Sequence, residues 1–282
     1  MSSLESASQW PFADRWPTDL FLLRHGQPDR DKVKRPSVKR PGWRERVQKI
    51  DKNQALKEIG LRQSRAAGER LATIAPFAGY CLSGDCLRHT QTSEELVKAY
   101  PESKRPLVVS DHHLRERDRG LDSPILISKQ DFYEQFRKEA LLRDTAPSKW
   151  QPRKGEHYEV PQFRLNQILF YFALDRPYEK QLIISTSGEM CISAFNNYYL
   201  GNMSDEQLVQ GFGPGMPAIE YELTAITEYT KRNPFDEYAP HSELYSHMRV
   251  RTPNPLNPEG DLAWDTGWLP IQRPISGQGI QK

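Results

Sequence analysis

Apolar positions along the chain gather in short runs, and longer polar stretches with helical spacing separate them. Asp19-Leu-Phe-Leu-Leu-Arg24 is the kind of run carried by a strand buried on both faces. It stops at His25-Gly26-Gln27-Pro28, where glycine and proline interrupt an extended chain, so Arg24 and His25 belong at the strand's carboxyl end. From Glu58 to Ile74 the apolar positions change period: Leu61, Ala66, Ala67, Leu71 and Ile74 form a helical stripe that Pro76 stops. Tyr80-Cys-Leu-Ser83 predicts a second buried strand. Gly84-Asp85 then turns the chain into a helix from Cys86 to about Ala99, with Asp85 as its N-cap. Pro106–Ser110 predicts a third strand, and Gln181–Thr186 is the strongest strand signal of all. Ser187-Gly188 breaks that strand before a helix from Glu189 to Tyr199. Further helices are expected at about Lys129–Leu142 and Gln162–Phe172, with one or two closing strands inside Ile219–Thr230.

Strands alternating with helices imply an α/β fold: a three-layer sandwich with a mostly parallel sheet and helices on both faces. The expected organisation is an N-terminal arm (1–18), a main domain (19–235) and a Pro-rich C-terminal tail (236–282). An insert at about 121–154 carries Phe132, Tyr133, Phe136 and Trp150, suited to a lid or to helix packing.

Composition narrows the function classes. At 282 residues and 32.7 kDa the chain can bury a sizeable core. Its apolar runs fall far short of the roughly 18–20 residues needed to span a bilayer, so no transmembrane helix is expected. Three cysteines (Cys81, Cys86, Cys191) cannot all pair within one chain, and the N-terminus lacks a basic-then-apolar leader. Both features lead us to expect a reducing, cytoplasmic setting. Net charge is only +2, yet Arg30–Lys49 holds nine Lys/Arg against Asp31 and Glu45. That run suits attraction of an anion or a solvated loop. Trp43 is its only aromatic residue, which argues against a nucleic-acid surface.

In open α/β sheets, ligands bind beyond the carboxyl ends of the strands. The polar residues expected there are Arg24, His25, Ser83, Arg88, Glu116 and Ser187. Two guanidinium forks match a tetrahedral dianion. A histidine can attack phosphorus, and a glutamate can protonate the departing oxygen. Arg88 would enter from the first turn of a helix, where free backbone N–H groups also favour an anion. The set fits phosphoryl transfer without a metal, and no cofactor is expected.

These residues resemble the histidine phosphatase superfamily, the phosphoglycerate-mutase-like fold. Leu22-Leu-Arg-His-Gly26 looks like its Arg-His-Gly signature, and Leu56–Leu71 resembles its Leu-Thr-x-x-Gly-x-x-Gln-Ala helix. Ser83–Thr92 is similar to its Ser-x-x-x-x-Arg-x-x-x-Thr segment, and Leu114–Gly120 to the stretch that supplies the acid. Gly155-Glu156 looks like its Gly-Glu pair before a helix, and Leu182–Glu189 resembles its last strand. The resemblance implies that His25 becomes phosphohistidine. It implies that Arg24 and Arg88 clamp the phosphoryl oxygens, with Ser187 and Gly188 at the phosphate site. It further implies that Glu116 gives the leaving group its proton and later activates water. The expected partner is a small phosphorylated substrate.

Two departures stand out. The family places a second histidine immediately before Gly188, where this chain has Ser187. Losing such a donor from a preorganised anion site costs about 10²–10³ in rate. Asp31 stands where many members carry asparagine. The resemblance and its departures lead us to expect a phosphatase of reduced or retuned activity, or a pseudophosphatase that binds a phosphorylated ligand without turnover.

Other motifs carry less. Cys81 and Cys86 lack a second pair at zinc spacing. His112 and His113 are expected to point apart. Gly211–Gly215 holds Pro214, which lacks the N–H donor a phosphate loop needs. Ser185 and Glu189 occupy the positions where a nucleophile elbow wants glycine.

Overall fold

The computed structural model describes residues 15–29, 52–116, 159–195, 197–198, 221–231, 245, 247–250 and 269–270. The expected helix at about 129–142, the basic run, Asp31, Gly155-Glu156 and Gly211–Gly215 lie outside them. The strands are β1 (Asp19–Arg24), β2 (Tyr80–Gly84), β3 (Leu107–Asp111), β4 (Gln181–Thr186), β5 (Ile226–Thr230), β6 (His247–Val250) and β7 (Leu269–Pro270). The helices are α1 (Glu58–Ile74), α2 (Leu87–Val97), α3 (Glu159–Asp175) and α4 (Gly188–Phe195).

All strands join one mixed sheet in the order β3-β2-β4-β1-β5-β6-β7. The run from β3 to β1 is parallel, whereas β5, β6 and β7 continue antiparallel. Strand β4 lies between β1 and β2, and the carboxyl ends align: Arg24 pairs with Thr186, and Ser83 with Ser185. That alignment brings residues distant in sequence to one edge of the sheet.

Alternation along the strands separates two cores. Leu20, Leu22, Leu82, Leu182 and Ile184 face Leu165, Leu169, Met190 and Ala194 of α3 and α4. Phe21, Leu23, Cys81 and Ile183 face Ala67, Leu71, Leu96 and Val97 of α1 and α2. Helices thus cover both faces, which is why β1 and β4 read as continuous apolar runs. Each such leucine, fully buried, contributes roughly 1.5–3 kcal/mol. Trp16, from the segment expected as an arm, joins the first of these clusters.

Three local expectations change. Asp85 does not cap α2: Cys86 is the N-cap residue without a side-chain cap bond, and Asp85 Oδ2 instead pairs with Lys52 Nζ at 2.9 Å. The chain turns one residue later than Gly84-Asp85 suggests, so the carboxylate points away from the helix's first amides. Strands β6 and β7 arise within the Pro-rich tail, where short pairing segments leave no clear alternation to read. Helix α3 runs longer than the apolar pattern indicated, starting at Glu159 and ending at Asp175.

Candidate functional site

The end of β1 is fixed from two sides. His25 N–H donates to the carbonyl of Thr186 at 2.8 Å, tying the loop to β4. Gly26 N–H donates to Thr92 Oγ1 at 3.0 Å, and that hydroxyl donates to the Arg88 carbonyl at 2.7 Å. Gln27 N–H donates to Gln63 Oε1 at 3.0 Å, and the Gln27 carbonyl accepts from Lys57 N–H at 2.9 Å. A Cβ at Gly60 would meet the Gln27 carbonyl oxygen at 2.4 Å, so the helix can approach this loop only with glycine there. Gly60, Gln63 and Thr92 therefore set the loop that presents His25.

The His25 side chain is buried at 4% exposure. Its Nδ1 lies 2.7 Å from the Gly26 carbonyl oxygen. A carbonyl can only accept, so Nδ1 carries the proton and Nε2 keeps its lone pair. Burial, followed by the charges of Arg88, His89 and Arg24, drives the His25 pKa well below its ordinary value; the Gly26 carbonyl opposes them. The ring is thus a neutral base at physiological pH, the form a nucleophile needs.

Arg88, from the first turn of α2, is almost wholly buried and pairs through Nη2 with Glu116 Oε2. Glu116 remains about a quarter exposed at its side chain. It follows a 3₁₀ turn (His112–Leu114), and the Leu114 carbonyl accepts from Thr186 Oγ1 at 2.6 Å. Arg24 donates from Nη1 to the Tyr221 carbonyl. A Cβ at Gly188 would lie 3.1 Å from Arg24 Nε, so this glycine lets the guanidinium rest on the start of α4. Ser187 is buried, and its Oγ accepts from Met190 N–H at 3.2 Å, which caps α4.

Arg24, His25, Arg88, Glu116, Ser187 and Gly188 all lie at the carboxyl edge of the parallel strands. Both arginines act electrostatically on His25. Sequence reasoning missed two contributors, the Tyr221 carbonyl and His89, and gave Thr92 a place in a motif but no role. The His89 ring stacks on His25 with centroids 5.3 Å apart and planes at 27°. Its signal was its place directly after Arg88 in a helix's first turn.

His112 and His113 do not point apart, because the 3₁₀ turn brings their ring centroids to 4.0 Å. With Asp111 they put one possible metal-ligand atom each within 4.8 Å of one another. Asp111 Oδ1 already accepts from His113 N–H at 2.8 Å. Cys81, Cys86 and Cys191 are buried and form no disulfide. Burial pushes the Cys81 thiol up to about 12, so it is inert packing.

Two arginines and a neutral histidine thus lie at one strand edge of an α/β fold. Residues 20–208 match the histidine phosphatase superfamily (branch 1), and the chain belongs to that superfamily. Solved structures with a similar fold include a mycobacterial glucosyl-3-phosphoglycerate phosphatase at 15% identity and TM-score 0.53, covering 89% of this chain and 99% of that one. Another, a mycobacterial hydrolase, has 18% identity and TM-score 0.52, covering 89% and 92% respectively. No curated protein matches the chain. Among the described residues, no helix is long and apolar enough to cross a membrane.

Proposed function

We propose that the protein is a phosphomonoester hydrolase that works through a phosphohistidine at His25 without a metal. The observation that carries this reading is the His25 ring, whose proton sits on Nδ1 against the Gly26 carbonyl and on which the charges of two arginines act. Membership of the superfamily supports it, as does the word phosphatase in the name of a fold relative. Three cysteines without a disulfide favour a reducing, cytoplasmic setting.

In this reading Arg24 and Arg88 bind the phosphoryl oxygens, and the arriving dianion competes with Glu116 for Arg88. The His25 Nε2 lone pair forms the N–P bond as the P–O ester bond breaks, and Glu116 passes a proton to the departing oxygen. Water then attacks phosphorus while Glu116 takes its proton, the P–N bond breaks, and the ring regains its lone pair. Ser187 supplies at most a neutral hydroxyl donor, because its oxygen already caps α4.

The test is hydrolysis of an aryl phosphate together with mass-spectrometric trapping of phosphohistidine. Turnover by wild type that His25→Ala abolishes is expected; activity persisting in His25→Ala defeats the assignment. A second reading, a pseudophosphatase that holds a phosphorylated ligand, is favoured by the capping role of Ser187. It predicts tight phosphate binding with no turnover, even in Ser187→His.

A further inference from the structure

His89 is a buried polar side chain that packing alone does not explain. It is fully buried, and neither ring nitrogen has a hydrogen-bond partner among the described residues. A buried polar group left unsatisfied is costly, and in a native protein it calls for an explanation. The ring's surroundings supply one. It stacks on the His25 imidazole at 5.3 Å, follows Arg88 directly, and feels the charges of both Arg88 and Glu116. The backbone makes room for it: a Cβ at Gly84 would lie 2.2 Å from His89 Nδ1, so only glycine at the end of β2 admits the ring. Three residues of the proposed phosphate site thus act on an imidazole whose nitrogens have no partner among the described residues.

We infer that His89 is an oxyanion donor of this site. Its neutral imidazole N–H would hydrogen-bond a non-bridging oxygen of the bound phosphoryl group, from α2 rather than from the position Ser187 occupies. Burial first, then Arg88, lowers its pKa to about 3, with Glu116 opposing, so in the free protein the ring is neutral with one N–H to give. No bond is made or broken by His89; it meets charge that the arginines leave unmatched. The role rests on the phosphate-site reading above, but its test does not require turnover.

Tungstate, a tetrahedral dianion, is the probe, with affinity measured by calorimetry. A hydrogen bond to a charged group predicts that His89→Ala weakens tungstate binding about tenfold to a hundredfold. His89→Asn, which keeps an N–H donor, should recover most of that loss. Equal weakening in both variants marks a merely structural ring and overturns the inference, as does unchanged affinity in His89→Ala. If His89→Ala does not fold, histidine ¹⁵N resonances of the wild-type protein decide: the His89 ring signals must move on adding tungstate, and unmoved signals overturn the role. Catalysis separates the two readings. No turnover with His89-dependent tungstate binding sinks the hydrolase and keeps the donor; turnover with His89-independent binding does the reverse.

Discussion

The guanidinium of Arg24 rests on the Cα of Gly188, so closely that a methyl group there would sit 3.1 Å from Nε and 3.4 Å from Cζ. The contact joins the end of β1 to the start of α4, two elements separated by most of the chain. Gly188→Ala is therefore expected to push the guanidinium aside by a few tenths of an ångström. A 1 Å misplacement at a reacting centre costs about 10²-fold, so roughly a tenfold fall in kcat/KM is expected. Thermal unfolding should change little, and an unchanged kcat/KM would show that Arg24 has slack.

Gly60 poses a harder constraint, since a Cβ there would meet main-chain atoms of Gln27 at 2.4 and 2.8 Å. Backbone cannot swing away as a side chain can. Gly60→Ala should cost about 1–3 kcal/mol in urea unfolding and should also impair the site through the His25 loop. Stability equal to wild type would mean that α1 moves freely against the loop.

Glu116→Gln keeps a hydrogen-bonding group near Arg88 but removes the transferable proton. General acid catalysis is worth about 10²–10⁴-fold, and the loss should depend on the leaving group. Alkyl phosphates, with basic leaving oxygens, should lose far more than nitrophenyl phosphate. Equal losses for both would place the acid elsewhere.

Two buried imidazoles with lowered pKa make the fold sensitive to acid. Burial comes first as the cause for both His25 and His89. Unfolded, each titrates near 6.5; folded, His89 titrates at about 3 and His25 is also well below its ordinary value. The unfolded chain therefore binds more protons, and stability is full above about pH 6.5 and falls as pH drops below it. Each group contributes a slope of at most about 1.4 kcal/mol per pH unit. Urea unfolding between pH 7 and pH 4 should show this decline, and His89→Asn should make it shallower. A flat profile would place these rings in contact with water.

Ser187→Ala removes the oxygen that accepts from Met190 N–H at 3.2 Å. Losing an N-cap of this kind costs about 1 kcal/mol. Chemical denaturation reads it directly, and no change would mean that solvent replaces the cap.

Much of this was legible in the sequence, and the limits follow from particular residues. Strands β1 and β4 are buried on both faces, so their continuous apolar runs announced them and placed Arg24, His25 and Ser187 at their ends. Arg88 and Thr92 sit one helical turn apart, a spacing legible through the resemblance to the Ser-x-x-x-x-Arg-x-x-x-Thr segment. The stacking of His89 on His25 was not legible, because it depends on how α2 meets β1 across the sheet. Nor was the Tyr221 carbonyl, since any residue offers the same backbone acceptor. Strand β6 escaped because its partner is an antiparallel neighbour, and four residues are too few to show a period.

Strand β4 is hydrogen-bonded between β1 and β2 although it is synthesised long after both. In a growing chain β1 and β2 therefore cannot reach their shared neighbour until residues 181–186 emerge from the ribosome. Contacts so distant in sequence make folding slow. Fragments ending ahead of Gln181 should consequently stick to one another or to chaperones, and phosphate in the medium should rescue only chains that extend beyond it.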